Sequence, residues 1–221
     1  MMNNLFMIFE PSSIIKLPIN WIISLIMISM LPMNFWMIPS RMFMIKSILI
    51  KFLMNELKMI LKKNNLIIFF ITLFMFFFFN NFMGLMPYIF TSTSHLSTNL
   101  TLSLPFWLML MMYGWINNYN HMFSHLIPQG TPSILMPFMV LIETTSNIIR
   151  PMTLAVRLTA NMIAGHLLLN LLSSMKNNLS NYLIPILILI QIILITLEMS
   201  VAIIQSYVFM ILTSLYSSEI N

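Results

Sequence analysis

The sequence contains no cysteine. Disulfides, thiolate metal sites and cysteine nucleophiles are therefore excluded. It contains no aspartate either: its five acids are Glu10, Glu56, Glu143, Glu198 and Glu219. A Ser–His–Asp triad cannot be assembled from such a chain. Glycine is also scarce, with four in 221 residues, and no glycine-rich loop is present to cradle a phosphate. The chain is expected to have no ATP site and no active site of its own.

The deepest shortage is of charge. Only 7% of the residues are charged while 59% are hydrophobic, whereas a soluble domain carries roughly a quarter charged residues. Water alone cannot solvate such a surface. Several apolar runs reach the roughly 20 residues that a helix needs to cross hydrocarbon about 30 Å thick. None shows the alternation of a barrel strand. The expected fold class is an all-α integral membrane protein, one membrane domain over residues 1–221. The opening "MMNNLFMIFEPSS" has neither a basic n-region nor a small-residue cleavage site, so no cleavable signal peptide is expected.

Methionine (25) and phenylalanine (18) are abundant. That bias fits an AT-rich genome, such as a mitochondrial one, encoding apolar residues with the codons at hand. The net charge of +5 does not point to nucleic acid. Six of the ten basic residues (Arg41, Lys46, Lys51, Lys58, Lys62 and Lys63) fall in one segment between two apolar runs. That is the positive-inside signal of a membrane protein.

Along the chain, residues 17–38 read as a first transmembrane helix, with Trp21 and Trp36 near its ends as interfacial anchors. Residues 41–63 place a lysine every five to seven positions among Ile, Leu, Met and Phe, the pattern of an amphipathic helix lying on the inner surface. Residues 65–89 form a second span. The polar stretch "TSTSHLSTNLTLS" (91–103) reads as an outer loop, and 105–127 as a membrane or interfacial helix. "PQGTP" (128–132) is a break. Two long elements follow, 133–174 and 183–216, joined by the short "MKNNLSN". At 1.5 Å per residue each would run roughly 50–60 Å, so each is either two spans with a hidden turn or one steeply inclined helix. The second reading is preferred, giving a tilted antiparallel hairpin.

The hairpin holds four charges: Glu143, Arg150, Arg157 and Glu198. Each costs at least about 2.5–3.5 kcal/mol at the centre of a bilayer. Glu143, Arg150 and Arg157 are spaced by seven residues and Asn161 follows four later, which keeps all four within about 40° of one helical stripe. Glu198 and Gln205 are likewise seven apart, with Tyr216 on the same side. His166 lies off the arginine stripe. Polar pairs that merely join helices are common, and Arg150, directly before Pro151, suits a pairing with Glu143 or a lipid headgroup. Arg157 is harder to explain as glue, because carboxylates are few and dispersed. Arginine stays charged at any accessible pH and cannot relay a proton, whereas carboxyl and imidazole groups can take one up and release it. A fixed positive charge among proton acceptors is the composition of a gated proton path.

Other chemistries fit less well. His121 and His125 are spaced i, i+4, but "NNYNHMFSHL" supplies no carboxylate beside them, so no metal is expected. His95 in a loop and a solitary His166 do not make a haem pair. No cofactor is expected.

"LIETTSNIIRPMTLAVRLTANMIAGHLLL" (141–169) and "LEMSVAIIQSYVFMILTSLY" (197–216) resemble the signature helices of the subunit a family of F-type ATP synthases. The likeness is to the mitochondrially encoded animal form, insect-like at "NLFMIFEPS", and extends over essentially the whole chain. The resemblance implies a steeply tilted hairpin packed against a rotating ring of c subunits. The peripheral stalk, other small Fo membrane subunits, the lipid bilayer and protons are the further implied partners, and the inner mitochondrial membrane, crossed several times, is the implied location. It also implies roles. Arg157 matches the arginine that faces the ring carboxylate and separates two aqueous half-channels. Glu198 and His166 match positions of the half-channel from the intermembrane space, Glu143 one of the exit to the matrix, and Asn161 and Gln205 polar positions near the arginine. Arg150 is glutamine in some relatives.

The main rival is a membrane subunit of a proton-pumping respiratory redox complex. Such subunits carry lysine–glutamate networks in broken helices, and no lysine falls inside any span here. A secondary transporter would show an internal repeat, and none is found. A purely structural anchor leaves the four hairpin charges without a purpose.

Overall fold

Lipid offers no hydrogen-bond partner to a backbone N–H or C=O, so a spanning chain must satisfy these groups within itself. In the computed structural model every regular element among the described residues is helical. The structure describes residues 37–61, 64–86, 89–127, 135–176 and 181–220, together with isolated residues before 37 and Pro132. Most of the expected first span, 17–38, lies outside the described residues, Trp36 included. Trp21 is described, and its ring lies 5.6 Å from Phe90 and 5.3 Å from His95.

The helices are α1 (Arg41–Ile60), α2 (Asn64–Gly84), α3 (Leu96–Asn117), α4 (Tyr119–Leu126), α5 (Met136–Met175) and α6 (Ile184–Ile220). Among the described residues four are long and apolar enough to cross a membrane: Leu66–Gly84, Leu96–Asn117, Met136–Met175 and Ile184–Ser218. The chain is an all-α integral membrane protein that crosses the membrane several times.

α1 starts where Ser40 caps it, its side chain accepting a 3.3 Å hydrogen bond from the Phe43 N–H. Leu53 and Leu57, one turn apart, turn one face of α1 inward, and Leu61 follows at its C-terminal cap. They pack with Ile67, Phe70, Ile71 and Phe74 of α2 and Met210 of α6. The Tyr207 hydroxyl of α6 donates to the Glu56 carboxylate at 2.9 Å, tying α1 to the hairpin. Lys51 and Lys58 face out. Higher in α2, Phe77 packs with Leu154 and Leu158 of α5 and Phe209 of α6. The Phe77 and Phe209 ring centroids lie 4.4 Å apart. α6 thus rests on α2, while α5 packs chiefly on α3.

The region 91–127 differs from the expectation. Instead of a loop to 103 and one helix from 105 to 127, a short 3₁₀ turn at Ser92–Ser94 leads into α3 at Leu96. A break at Asn118 then separates α4. The polar residues fold inward because they satisfy one another. Thr98 Oγ1 donates to the Ser92 carbonyl at 2.7 Å, and Asn99 Nδ2 to the Thr93 carbonyl at 2.9 Å. Asn99 is buried with them, and Ser103 one turn on is buried too, its hydroxyl without a partner among the described residues.

The long elements are single helices without a hidden turn. α5 continues through Pro151 for 40 residues and α6 runs for 37. Those lengths correspond to about 60 Å and 55 Å.

Leu57 is fully buried where α1, α2 and α6 meet. Leu57→Ala should therefore destabilise the fold by about 2–5 kcal/mol. This is to be read as an earlier midpoint on titrating the purified complex with a denaturing detergent. An unchanged midpoint would mean that α1 is not fixed to the hairpin.

Candidate functional site

The two stripes of the hairpin meet neighbours of different kinds along their length. Towards the middle, α5 and α6 enclose a cavity of about 270 Å³ with the end of α2 as its third wall. Asn161 and Gly165 line it from α5, Glu198 and Gln205 from α6, and Asn81 from α2. The Glu198 side chain is 8% exposed, and neither carboxylate oxygen has a hydrogen-bond partner among the described residues. Asn81 is fully buried with both amide atoms equally unpartnered. Unpaired buried polar groups are costly, and a cavity of this size with two such residues, Asn81 and Glu198, in its wall is roomy enough for water to satisfy them.

Gly165 makes the position of Glu198 possible. A Cβ at 165 would stand 2.7 Å from Glu198 Oε1 and 2.8 Å from its carboxyl carbon, closer than atoms can pack. The absent side chain is the room the carboxylate occupies. Neither Gly165 nor Asn81 was anticipated from the sequence. The signals were present: one of only four glycines falls in mid-helix, and a pair of asparagines closes the phenylalanine run "FFFFNNF".

A second cavity, of about 240 Å³, lies towards the other end of the hairpin. Glu143, Asn147 and Arg150 line it from α5 and Tyr216 from α6, while α3 and α4 close it with Trp107, Trp115 and Met122. Arg150 Nη2 is 3.6 Å from Glu143 Oε1. The guanidinium carbon of Arg150 also stands 4.9 Å from the centroid of the Tyr216 ring, a cation–π geometry.

Arg157 lines neither cavity. It is exposed on the outside of α5, on the stripe it shares with Thr153 and Asn161, and it makes no ion pair among the described residues. The structure therefore divides the expected site. Asn161, Gln205 and Glu198 share one cavity, Glu143 belongs to another, and Arg157 stands on the helix between them. His166 does not line the Glu198 cavity. It is half-buried, its ring is edge-on to Phe9 at 6.4 Å, and its Nε2 has no partner among the described residues.

Residues 17–218 match the family described as ATP synthase A chain. The chain is 55% identical to ATP synthase subunit a of Drosophila melanogaster and 55% identical to that of Anopheles gambiae, in each case over the whole of both chains. It is 54% identical to that of Aedes aegypti over the same extent.

Substituting Gly165→Ala should push the Glu198 carboxylate out of place without adding or removing charge. Proton-coupled activity of the assembled complex should fall roughly tenfold, the scale of loss expected when a reacting group is misplaced. Proton pumping by vesicles at equal complex content measures it, and native rates would mean that the carboxylate works equally well elsewhere.

Proposed function

The chain belongs to the ATP synthase A chain family and is a membrane subunit of the Fo sector, acting in proton transport for ATP synthesis, and on that premise we propose that it is the stator that passes protons to and from a rotating ring of c subunits. The observation that carries this reading is Arg157: a permanent charge, exposed and unpaired among the described residues on the outer stripe of an apolar helix, between two cavities that each hold a glutamate. A charge of that kind in hydrocarbon needs a partner from outside the chain. A carboxylate on an adjacent rotor supplies one.

In this reading the Glu198 cavity is the inlet, with Asn161, Gln205 and Asn81 holding water and His166 nearer the intermembrane space. A proton delivered there neutralises a ring carboxylate and frees it from Arg157, so that the subunit can turn into lipid. After nearly a full turn the carboxylate meets the second cavity and loses its proton towards Glu143 and the matrix. Arg157 draws the next carboxylate into its ionised form and repels protons that would cross directly from one cavity to the other. On α5 the span from Asn161 to Glu143 is 18 residues, about 27 Å. The membrane potential supplies about 2.3 kcal/mol per charge per 100 mV. The inner mitochondrial membrane is the proposed location, and the peripheral stalk and small Fo membrane subunits complete the proposed partners. Helices about 60 Å long crossing hydrocarbon about 30 Å thick favour a steep inclination along the ring.

Arg157→Ala in the assembled complex is the decisive variant. ATP synthesis in energised vesicles should be abolished while the complex still assembles, and a passive proton leak should appear. Retained synthesis and coupling would reduce Arg157 to a structural residue and overturn the reading.

A further inference from the structure

Arg150 has no part in the mechanism just described, yet it is the most connected charge in the hairpin. Its guanidinium reaches Glu143 on its own helix at 3.6 Å and lies over the Tyr216 ring of the facing helix at 4.9 Å. All three line the second cavity. The Arg150 and Glu143 side chains are 27% and 39% exposed, so the pair sits at the cavity wall rather than sealed in the core. The cavity's other walls supply tryptophan, methionine and leucine from α3 and α4, so that Arg150 is the one cation among the described residues that line it.

We propose that Arg150 is a positioning residue for proton transfer at the second cavity, holding the Glu143 carboxylate at the cavity wall while its cation–π contact with Tyr216 fixes α6 to α5 at the same level. This rests on the reading of that cavity as a proton path.

Three features suit the role. A guanidinium keeps its charge at any accessible pH and offers several donors in a fixed plane. It can orient a carboxylate without itself taking the proton. Its flat face is free to stack on an aromatic ring while its edge engages an oxygen, so one side chain serves both helices. Pro151, the next residue, lacks an N–H and deprives the Asn147 carbonyl of its usual helical donor. Asn147 also lines the cavity, so an acceptor without its main-chain donor is left beside the Glu143–Arg150 pair, where water can take the proton on.

The test is ATP-driven proton pumping per assembled complex in vesicles, for Arg150→Ala, Arg150→Lys, Glu143→Gln and the Arg150→Ala/Glu143→Gln double variant. Arg150→Ala should lower pumping roughly tenfold, as for a displaced reacting group, and Arg150→Lys, which keeps the charge but lacks the flat face and fixed donor plane, should restore it only in part. On the Glu143→Gln background Arg150→Ala should cause no further loss, because its effect passes through that carboxylate. A merely structural arginine would instead reduce pumping by the same factor on both backgrounds, which overturns the inference, as would native pumping by Arg150→Ala. If Glu143→Gln alone pumps at the native rate, the second cavity is no proton path, and that reading falls first. Should Arg150→Ala not assemble, Arg150→Gln carries the same comparison, with a partial loss that vanishes on the Glu143→Gln background.

Discussion

A charge in hydrocarbon costs at least about 2.5–3.5 kcal/mol, and each ionisable group of the hairpin meets that cost differently. Glu143 and Arg150 meet it by pairing at 3.6 Å, with the Tyr216 ring as a further partner for the cation. Glu198 meets it with a cavity and with the space left by Gly165. Arg157 meets it nowhere among the described residues: it is exposed on the outside of α5 without an ion pair. Three of the charges are thus accommodated within the subunit, and the fourth is intelligible only in an assembly.

The same scarcity of partners governs the neutral polar groups. Hydroxyls on the lipid-facing helices bond back to their own backbone, as Thr153 does to the Arg150 carbonyl and Ser200 to the Leu197 carbonyl. That is the usual refuge of serine and threonine inside helices. The amide side chains have no such easy recourse. Asn99 reaches back to the Thr93 carbonyl, and its burial draws a polar turn into the fold. Asn81 finds no partner among the described residues. Where an amide stays unsatisfied beside an unsatisfied carboxylate, the cavity they share is a place where water can satisfy both.

Much of this was legible in the sequence, because the governing rules are one-dimensional. Hydrocarbon thickness sets the length of a span, and a seven-residue spacing keeps Glu143, Arg150 and Arg157 on one stripe whatever surrounds them. What could not be read was the identity of the third wall. The stripe is continuous in sequence, yet α2 covers one stretch of it and α3 with α4 another, and nothing local to α5 announces the change. Gly165 escaped notice because its purpose lies on α6, in the carboxylate it makes room for. The start of α3 escaped because serine, threonine and asparagine usually signal a loop. Here they form a helix whose polar side chains bond to the preceding turn.

The unusual length of the hairpin acquires a purpose from this division of walls. A pair of helices about 30 Å long would match one layer of neighbours, and polar positions along it would share a single cavity. At about 60 Å and 55 Å, α5 and α6 have room for α2 and α3 side by side along their middle, where Leu102 of α3 joins Phe77 of α2 against Leu154 and Leu158, and for α4 near Glu143. The two cavities then have different walls, and the segment of α5 between them buries Pro151, Leu154 and Ala155 on one side while its other side stays exposed. Arg157 lies on that segment. Length, which hydropathy alone leaves as surplus, is what allows two helices to carry two separate polar cavities with a fixed charge between them.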